Sequence, residues 1–188
     1  RISLLLNEKE LLLKETHHRV KNNMNTVYGL LYMQSEGVSD PVSKSIIKDA
    51  ASRVQSMTLL YDKLYRSENY HEMNANHYLS SHIDEVVRIF ISPVPVKTDI
   101  NIADIVLSAK VLSVLGIIIN ELITNSMKYA FDAVSEGVIN LSLVEQNKKI
   151  KLVYNDNGPG LPESVNFGIS TGFGLDLVKM LTDQIGGT

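Results

Sequence analysis

A stripe stepping by fours and threes runs through positions 13, 17, 20, 24, 27, 31 and 34, which read Leu, His, Val, Met, Val, Leu and Gln. That spacing predicts a helix of coiled-coil type. Gly37-Val38-Ser39-Asp40-Pro41 then supplies a stop, a cap and a proline suited to a first helical turn. A second stripe follows at 43, 47, 50, 54, 57, 61 and 64: Ser, Ile, Ala, Val, Met, Tyr and Leu. Two long antiparallel helices joined by a short turn make a hairpin with too little core to stand alone. Their stripes predict pairing with a second copy into a four-helix bundle.

Past about residue 68 the pattern changes. "SENYHEMNAN" is polar enough to read as a linker, and mixed elements follow it: a helix near 77–91, a break at Pro93 and Pro95, a strand near 96–102 and a long helix near 109–131. Residues 138–144 and 150–155 alternate with period two around Gln146-Asn147-Lys148, as in a β-hairpin. Residues 174–185 are patterned as a last helix. This half is α+β, with helices layered on one face of a mixed sheet. The expected domains are a helical hairpin over residues 1–68 and an α/β domain over 69–188.

A chain of 188 residues with 44% hydrophobic content can bury a real core. The net charge of −3 and the spread of lysines and arginines give no electrostatic reason to expect nucleic acid. With no cysteine, disulfides and thiolate metal sites are excluded, which fits a reducing compartment. The longest apolar run, Val111 to Ile119, is interrupted by Ser113 and Gly116 and is shorter than the ~20 residues of a membrane span. No signal peptide is visible. The expected location is cytoplasmic, with an upstream membrane segment left open. The chain starts at Arg1 in mid-pattern and stops at Gly186-Gly187-Thr188, where a strand could begin, so it reads as a fragment lacking an upstream sensor domain and its last strands.

Three stretches of the second half carry candidate chemistry. In "IIINELITNSMKYAF", Glu121, Asn125 and Lys128 stand at i, i+4 and i+7, so one helix face offers a carboxylate, an amide and an ammonium. A carboxylate beside an amide oxygen suits magnesium, and the lysine suits the phosphates such a cation carries. The plainer reading is a solvated polar face. "YNDNGPGLP" follows a predicted strand and puts Asp156 at the mouth of the sheet, where a carboxylate can accept from an exocyclic amine such as that of adenine; an ordinary surface turn has the same composition. In "STGFGLDLVKML", Gly172 and Gly174 open onto an amphipathic helix whose N-terminus could receive phosphate, or could simply follow a loop. Neither the dinucleotide fingerprint nor the P-loop matches, because both need a strand immediately before.

Taken in order, "NELITNSMKY", "DNGPG" and "TGFGL" resemble the asparagine box and two glycine boxes of the GHKL (Bergerat) ATP-binding fold, an α/β sandwich shared by histidine kinases, gyrase, Hsp90 and MutL. The resemblance implies that Asn125 holds magnesium, Lys128 and the adjacent Tyr129 contact the nucleotide, and Asp156 reads adenine. Gly158, Gly160, Gly172 and Gly174 match the glycines flanking the mobile ATP lid. Glu121 matches the carboxylate that activates water in the ATPase members, so it stands either as a catalytic base or beside the metal. In the first half, "HHRVKNN" resembles the phosphoacceptor helix of HWE-like sensor histidine kinases, whose motif is His-Arg followed by a nearby Asn.

Neighbouring histidines point about 100° apart on a helix, which is poor geometry for one metal. The stripe places His17 in the seam and His18 on its shoulder, where an acceptor can reach a separate ATP domain. Asn22 lies four residues beyond His18 on the same face, able to orient water or a phosphoryl group. The family motif also puts its acceptor directly before the arginine, so His18 is the expected site. Arg19 stands where commoner histidine kinases have an acidic base, leaving Glu15 and Glu121 as candidate proton acceptors.

The resemblance implies a sensor histidine kinase core of α plus α/β class. It would autophosphorylate from Mg-ATP, pass the phosphoryl group to a response-regulator aspartate in a receiver domain, and form a homodimer through residues 1–68. The alternative is a GHKL ATPase acting as a nucleotide-driven switch, with the histidines structural. A degenerate scaffold is a further rival, disfavoured by the intact boxes.

Overall fold

A computed structural model describes residues 2–66, 72–89, 92, 94–161 and 173–188. Gly172 and Pro93, the start of the expected linker through His71, and the side chains of Leu13 and Leu64 lie outside the described residues. The chain divides into two compact units, Arg1–Glu68 and Asn69–Thr188.

The first unit is a hairpin of α1 (Ile2–Gly37) and α2 (Pro41–Arg66), packed against each other. Asp40 caps α2 as its sequence suggested: its Oδ2 accepts from the Ser43 amide at 2.8 Å and the Ser43 hydroxyl at 2.6 Å. Those hydrogen bonds hold the Asp40 carboxyl below its usual range, and Pro41 takes the first helical position, where no amide is needed. On α2 Ile47, Ala50, Val54, Met57 and Tyr61 of the expected stripe are half-buried, but Ser43 is exposed and the buried positions Ala51, Thr58 and Leu60 lie beside the stripe. On α1 the stripe holds at His17, Val20, Met24 and Leu31, but Val27 is exposed and Tyr28 and Ser35 face the seam instead. The phase of α1 drifts because 3.6 residues per turn do not divide a seven-residue repeat.

Among the described residues the second unit carries two sheets. Strand β1 (Glu72–Asn74) pairs antiparallel with β3 (Val106–Ser108). The larger sheet has the order β2-β4-β5, with β2 (Val96–Ile102) parallel to β4 (Gly137–Gln146) and β4 antiparallel to β5 (Lys149–Asp156). The expected mixed sheet and hairpin are both present. The hairpin turns on Asn147 and Lys148, at φ +54° and +60°, as a two-residue turn of the twist-matched kind. The "linker" reading of residues 72–76 is corrected, since they form β1 and begin α3. A three-residue strand is too short to show period two.

Burial alternates along β4, with Ile139, Leu141 and Leu143 buried and Asn140 exposed, so one face of the sheet is covered. Helix α3 (Ala75–Ile89) packs on β2 and on α4 (Ala109–Asn125), and α5 (Phe173–Gln184) packs on α4. Leu79, Ile83, Leu112, Ile119 and Ile123 are fully buried among them. Ala109–Ala130 is long and apolar enough to cross a membrane by length and composition, but 67% of its most apolar window is buried as the core of this unit. The long helix expected to 131 stays α-helical only to Asn125 and finishes as a π-helical turn, Ser126–Ala130.

Candidate active site

On α1, helix phase separates the two histidines. His17 is half-buried, its Nδ1 2.6 Å from the Tyr61 hydroxyl of α2 and its ring edge-on to Tyr61 at 5.5 Å. Burial, and then the charge of His18, lowers its pKa. One turn on, Lys21 donates to Asp62 at 2.8 Å, so the face at 17 and 21 is occupied by α2. His18 and Asn22 are both exposed, four residues apart on the neighbouring face. Arg19 reaches back one turn to Glu15, its Nε and a terminal nitrogen donating to Glu15 Oε1 at 3.1 and 2.7 Å. Glu15 is therefore clamped through one oxygen while still largely exposed.

In the second unit, the C-terminal end of β5 meets the end of α4. Asp156 Oδ2 accepts from the Ser126 hydroxyl at 2.5 Å, and Oδ1 accepts from the Gly158 amide at 3.0 Å. The Tyr154 hydroxyl lies 2.8 Å from Ser126 Oγ. Burial pushes the Tyr154 phenol well above its usual range, which the Ser126 hydrogen bond opposes and the Asp156 charge reinforces. Gly158 packs so tightly on Ala130 that a Cβ would fall 2.5 Å from the alanine Cβ. Gly160 adopts φ +80°, the left-handed region open to glycine. Asn157 ties the turn down, accepting from the Val138 amide at 2.8 Å and donating to the Glu136 carbonyl at 2.9 Å.

These contacts bring "DNGPG" against "NELITNSMKY". Asn125, directly before Ser126, is half-buried, as is Lys128, while Tyr129 is exposed. Glu121, one turn earlier, is only 1% exposed. The face at 121, 125 and 128 therefore runs from fully buried to half-buried. Lys128 rides on a π turn, a rare local widening that recurs at functional sites. Gly174 is buried on the first turn of α5. Ser126 and Tyr154 were not among the expected site residues. Tyr154 had a signal, since it stands two residues before Asp156 and shares its face of β5. Ser126 had none beyond adjacency to Asn125, because no spacing rule links it to residue 156.

Residues 15–90 match a family described as histidine kinase, and residues 112–188 match the histidine kinase-, DNA gyrase B- and HSP90-like ATPase family. The sensor histidine kinase PdtaS of Mycolicibacterium smegmatis is 32% identical over 178 residues, covering 92% of this chain and 35% of the relative. PdtaS of Mycobacterium tuberculosis is 30% identical, with 92% of this chain and 34% of the relative covered. The histidine kinase domain of a blue-light-activated histidine kinase from Erythrobacter litoralis has the same fold, with a TM-score of 0.65 at 18% identity over 88% of this chain and 86% of that one. Both matches support the sensor histidine kinase class, an HWE-type histidine kinase region followed by a GHKL-type ATPase region. The chain spans about a third of the length of the PdtaS relatives.

Proposed function

We propose that this chain is the catalytic core of a sensor histidine kinase that phosphorylates His18 from Mg-ATP and passes the phosphoryl group to a response-regulator aspartate. Residues 1–68 serve as the phosphotransfer and dimerisation unit, and residues 69–188 bind the nucleotide. The observation that carries this reading is the division of labour on α1, where His17 is committed to Tyr61 while His18 stands exposed beside Asn22.

Within the nucleotide unit, Asp156 accepts from the adenine amine, Lys128 and Tyr129 contact the nucleotide, and Gly158, Gly160, Gly172 and Gly174 give backbone close approach to the phosphates. Asn125, with Glu121 behind it, fits magnesium. Among the described residues no three acidic or histidine side chains form a self-sufficient cation cage. An amide and one carboxylate instead suit a cation that takes most of its shell from water and phosphate oxygens. When bound, magnesium would neutralise charge on those oxygens.

In the transfer step, a neutral nitrogen of His18 attacks the γ-phosphorus in line; the N–P bond forms as the bond to the ADP oxygen breaks. The proton on the other ring nitrogen then leaves. We assign its acceptor to Glu15, which is exposed three residues before His18 and held by Arg19 through one oxygen only. Asn22 orients the phosphoryl group. Catalysis here is positioning and charge neutralisation. The exposed apolar side chains Val27, Leu30 and Met33 of α1, with Val42 and Ile46 of α2, support pairing with a second copy, and relatives named as sensor histidine kinases, of which this chain spans about a third, fit a core that works with a sensor region.

The test is incubation with γ-labelled ATP and magnesium. Acid-labile, base-stable label that is lost in His18→Gln and kept in His17→Gln is the expected result, and added receiver domain should then take the label in base-labile form. Label that follows His17 overturns the choice of residue. Phosphate release with no labelled protein overturns the kinase reading in favour of an ATPase switch. Solution mass reads the dimer.

A further inference from the structure

We infer that Ser126 and Tyr154 form a one-way hydrogen-bond relay onto Asp156, positioning its carboxylate to accept an amine and so setting the base specificity of the nucleotide site. This rests on the reading of Asp156 as the adenine-recognising group.

The direction of the relay follows from proton count. A carboxylate only accepts, and the Ser126 hydroxyl has a single hydrogen. At 2.5 Å from Asp156 Oδ2, that hydrogen belongs to the contact with Asp156. The Tyr154 hydroxyl, 2.8 Å from Ser126 Oγ, must then be the donor in its own contact. Tyr154 can fill that role because a phenol carries its proton at neutral pH, and burial pushes its pKa up further. The chain therefore runs Tyr154 to Ser126 to Asp156. The Gly158 amide donates to the other carboxylate oxygen at 3.0 Å.

Each oxygen is thus held by a protein donor, and a carboxylate keeps further lone pairs that a ligand donor can fill. An exocyclic amine satisfies them. A carbonyl at the same place on the base, as in hypoxanthine or guanine, would set acceptor against acceptor, and the relay offers no spare proton to bridge them. A site built to bond an N–H rejects the analogue that lacks it far more strongly than a shape-based pocket does. Without Ser126, the carboxylate could turn or recruit water and so tolerate the carbonyl. Ser126 is the first residue of the π turn, and the widened turn meets Asp156 at its first residue and Gly158 at its last, Ala130. The relay acts by preorganisation, which lowers the cost of ordering the carboxylate on binding.

Equilibrium binding, to the full chain, of ATP and of inosine triphosphate, in which the amine becomes a carbonyl and N1 becomes an N–H donor, tests this. The variants are Ser126→Ala, Ser126→Thr, Tyr154→Phe and Asp156→Asn, each checked for folding by thermal melting. Ser126→Ala should weaken ATP about tenfold while leaving inosine triphosphate nearly unchanged, so the preference collapses. Ser126→Thr should keep the preference, and Tyr154→Phe should reduce it by about threefold. Equal weakening of both nucleotides in Ser126→Ala would mean a packing role and overturn the proposal. A preference unchanged in Ser126→Ala but collapsed in Asp156→Asn overturns the relay and leaves the adenine reading standing. A preference unchanged in Asp156→Asn overturns that reading, and the relay with it. Should Ser126→Ala not fold, Tyr154→Phe decides, and an unchanged preference there refutes the relay.

Discussion

In the hairpin, Glu15, His18, Arg19 and Asn22 lie within about two turns of one helix, and helix phase alone sets which of them face solvent. In the α/β unit, Ser126 and Asp156 are 30 residues apart and meet only because β5 ends against the π turn that closes α4. A local site of the first kind tolerates changes in its surroundings and is sensitive to its own side chains. An assembled site of the second kind depends on the close fit of backbones that carry no chemistry themselves.

The largest effect that separates the two cases is expected at their glycines. Gly158→Ala would place a Cβ 2.5 Å from the Ala130 Cβ and 2.8 Å from its Cα, so backbone must shift. A loss of about 1–3 kcal/mol in stability is expected, with more than tenfold weaker ATP binding, read by denaturant melts and titration. Gly29→Ala on α1 meets nothing within 4 Å and should instead gain up to about 1 kcal/mol. Destabilisation by both would break the comparison.

Next in size is Tyr61→Phe, which removes the hydroxyl that meets His17 Nδ1 across the hairpin. It should cost about 1 kcal/mol in chemical denaturation while His18 labelling continues at the wild-type level. A loss of labelling in the folded variant would show that the seam and the outward face are coupled.

A smaller, pH-dependent effect comes from the same residue. The His17 pKa is lowered in the folded chain below its ordinary value of 6.5, so the unfolded chain binds more protons through that window. Stability should therefore be fully present above about pH 6.5 and decline as pH falls through it towards the depressed folded value. Melting temperatures at pH 7.5 and 5.5 should differ more in the wild type than in His17→Gln. Equal differences would assign the pH dependence to another group.

The smallest effect belongs to Arg19→Ala. Its exposed pair with Glu15 at i, i+4 should contribute only about 0.3–0.5 kcal/mol, within reach of careful melts. A change in the pH–rate profile of labelling, with stability almost unmoved, would mark Arg19 as acting through Glu15.

The long elements were legible from the chain because each repeats one rule many times. The α2 helix, the Asp40 cap with Pro41 and the β4–β5 hairpin all occur where periodicity and turn chemistry put them. His18 could be chosen over His17 for the same reason, since neighbours on a helix differ by a known angle. The short pair β1–β3 could not be read, because three residues cannot display a period. Nor could the π turn, which breaks the helical register without a glycine or proline to announce it. The order of boxes "NELITNSMKY" and "DNGPG" pointed to the residues proposed for the nucleotide site. That Ser126 anchors Asp156, that Glu121 is buried while Tyr129 is exposed, and that Gly158 must be small were settled only by tertiary structure. Each depends on a distance between segments remote in sequence, and no periodicity within either segment encodes the gap between them.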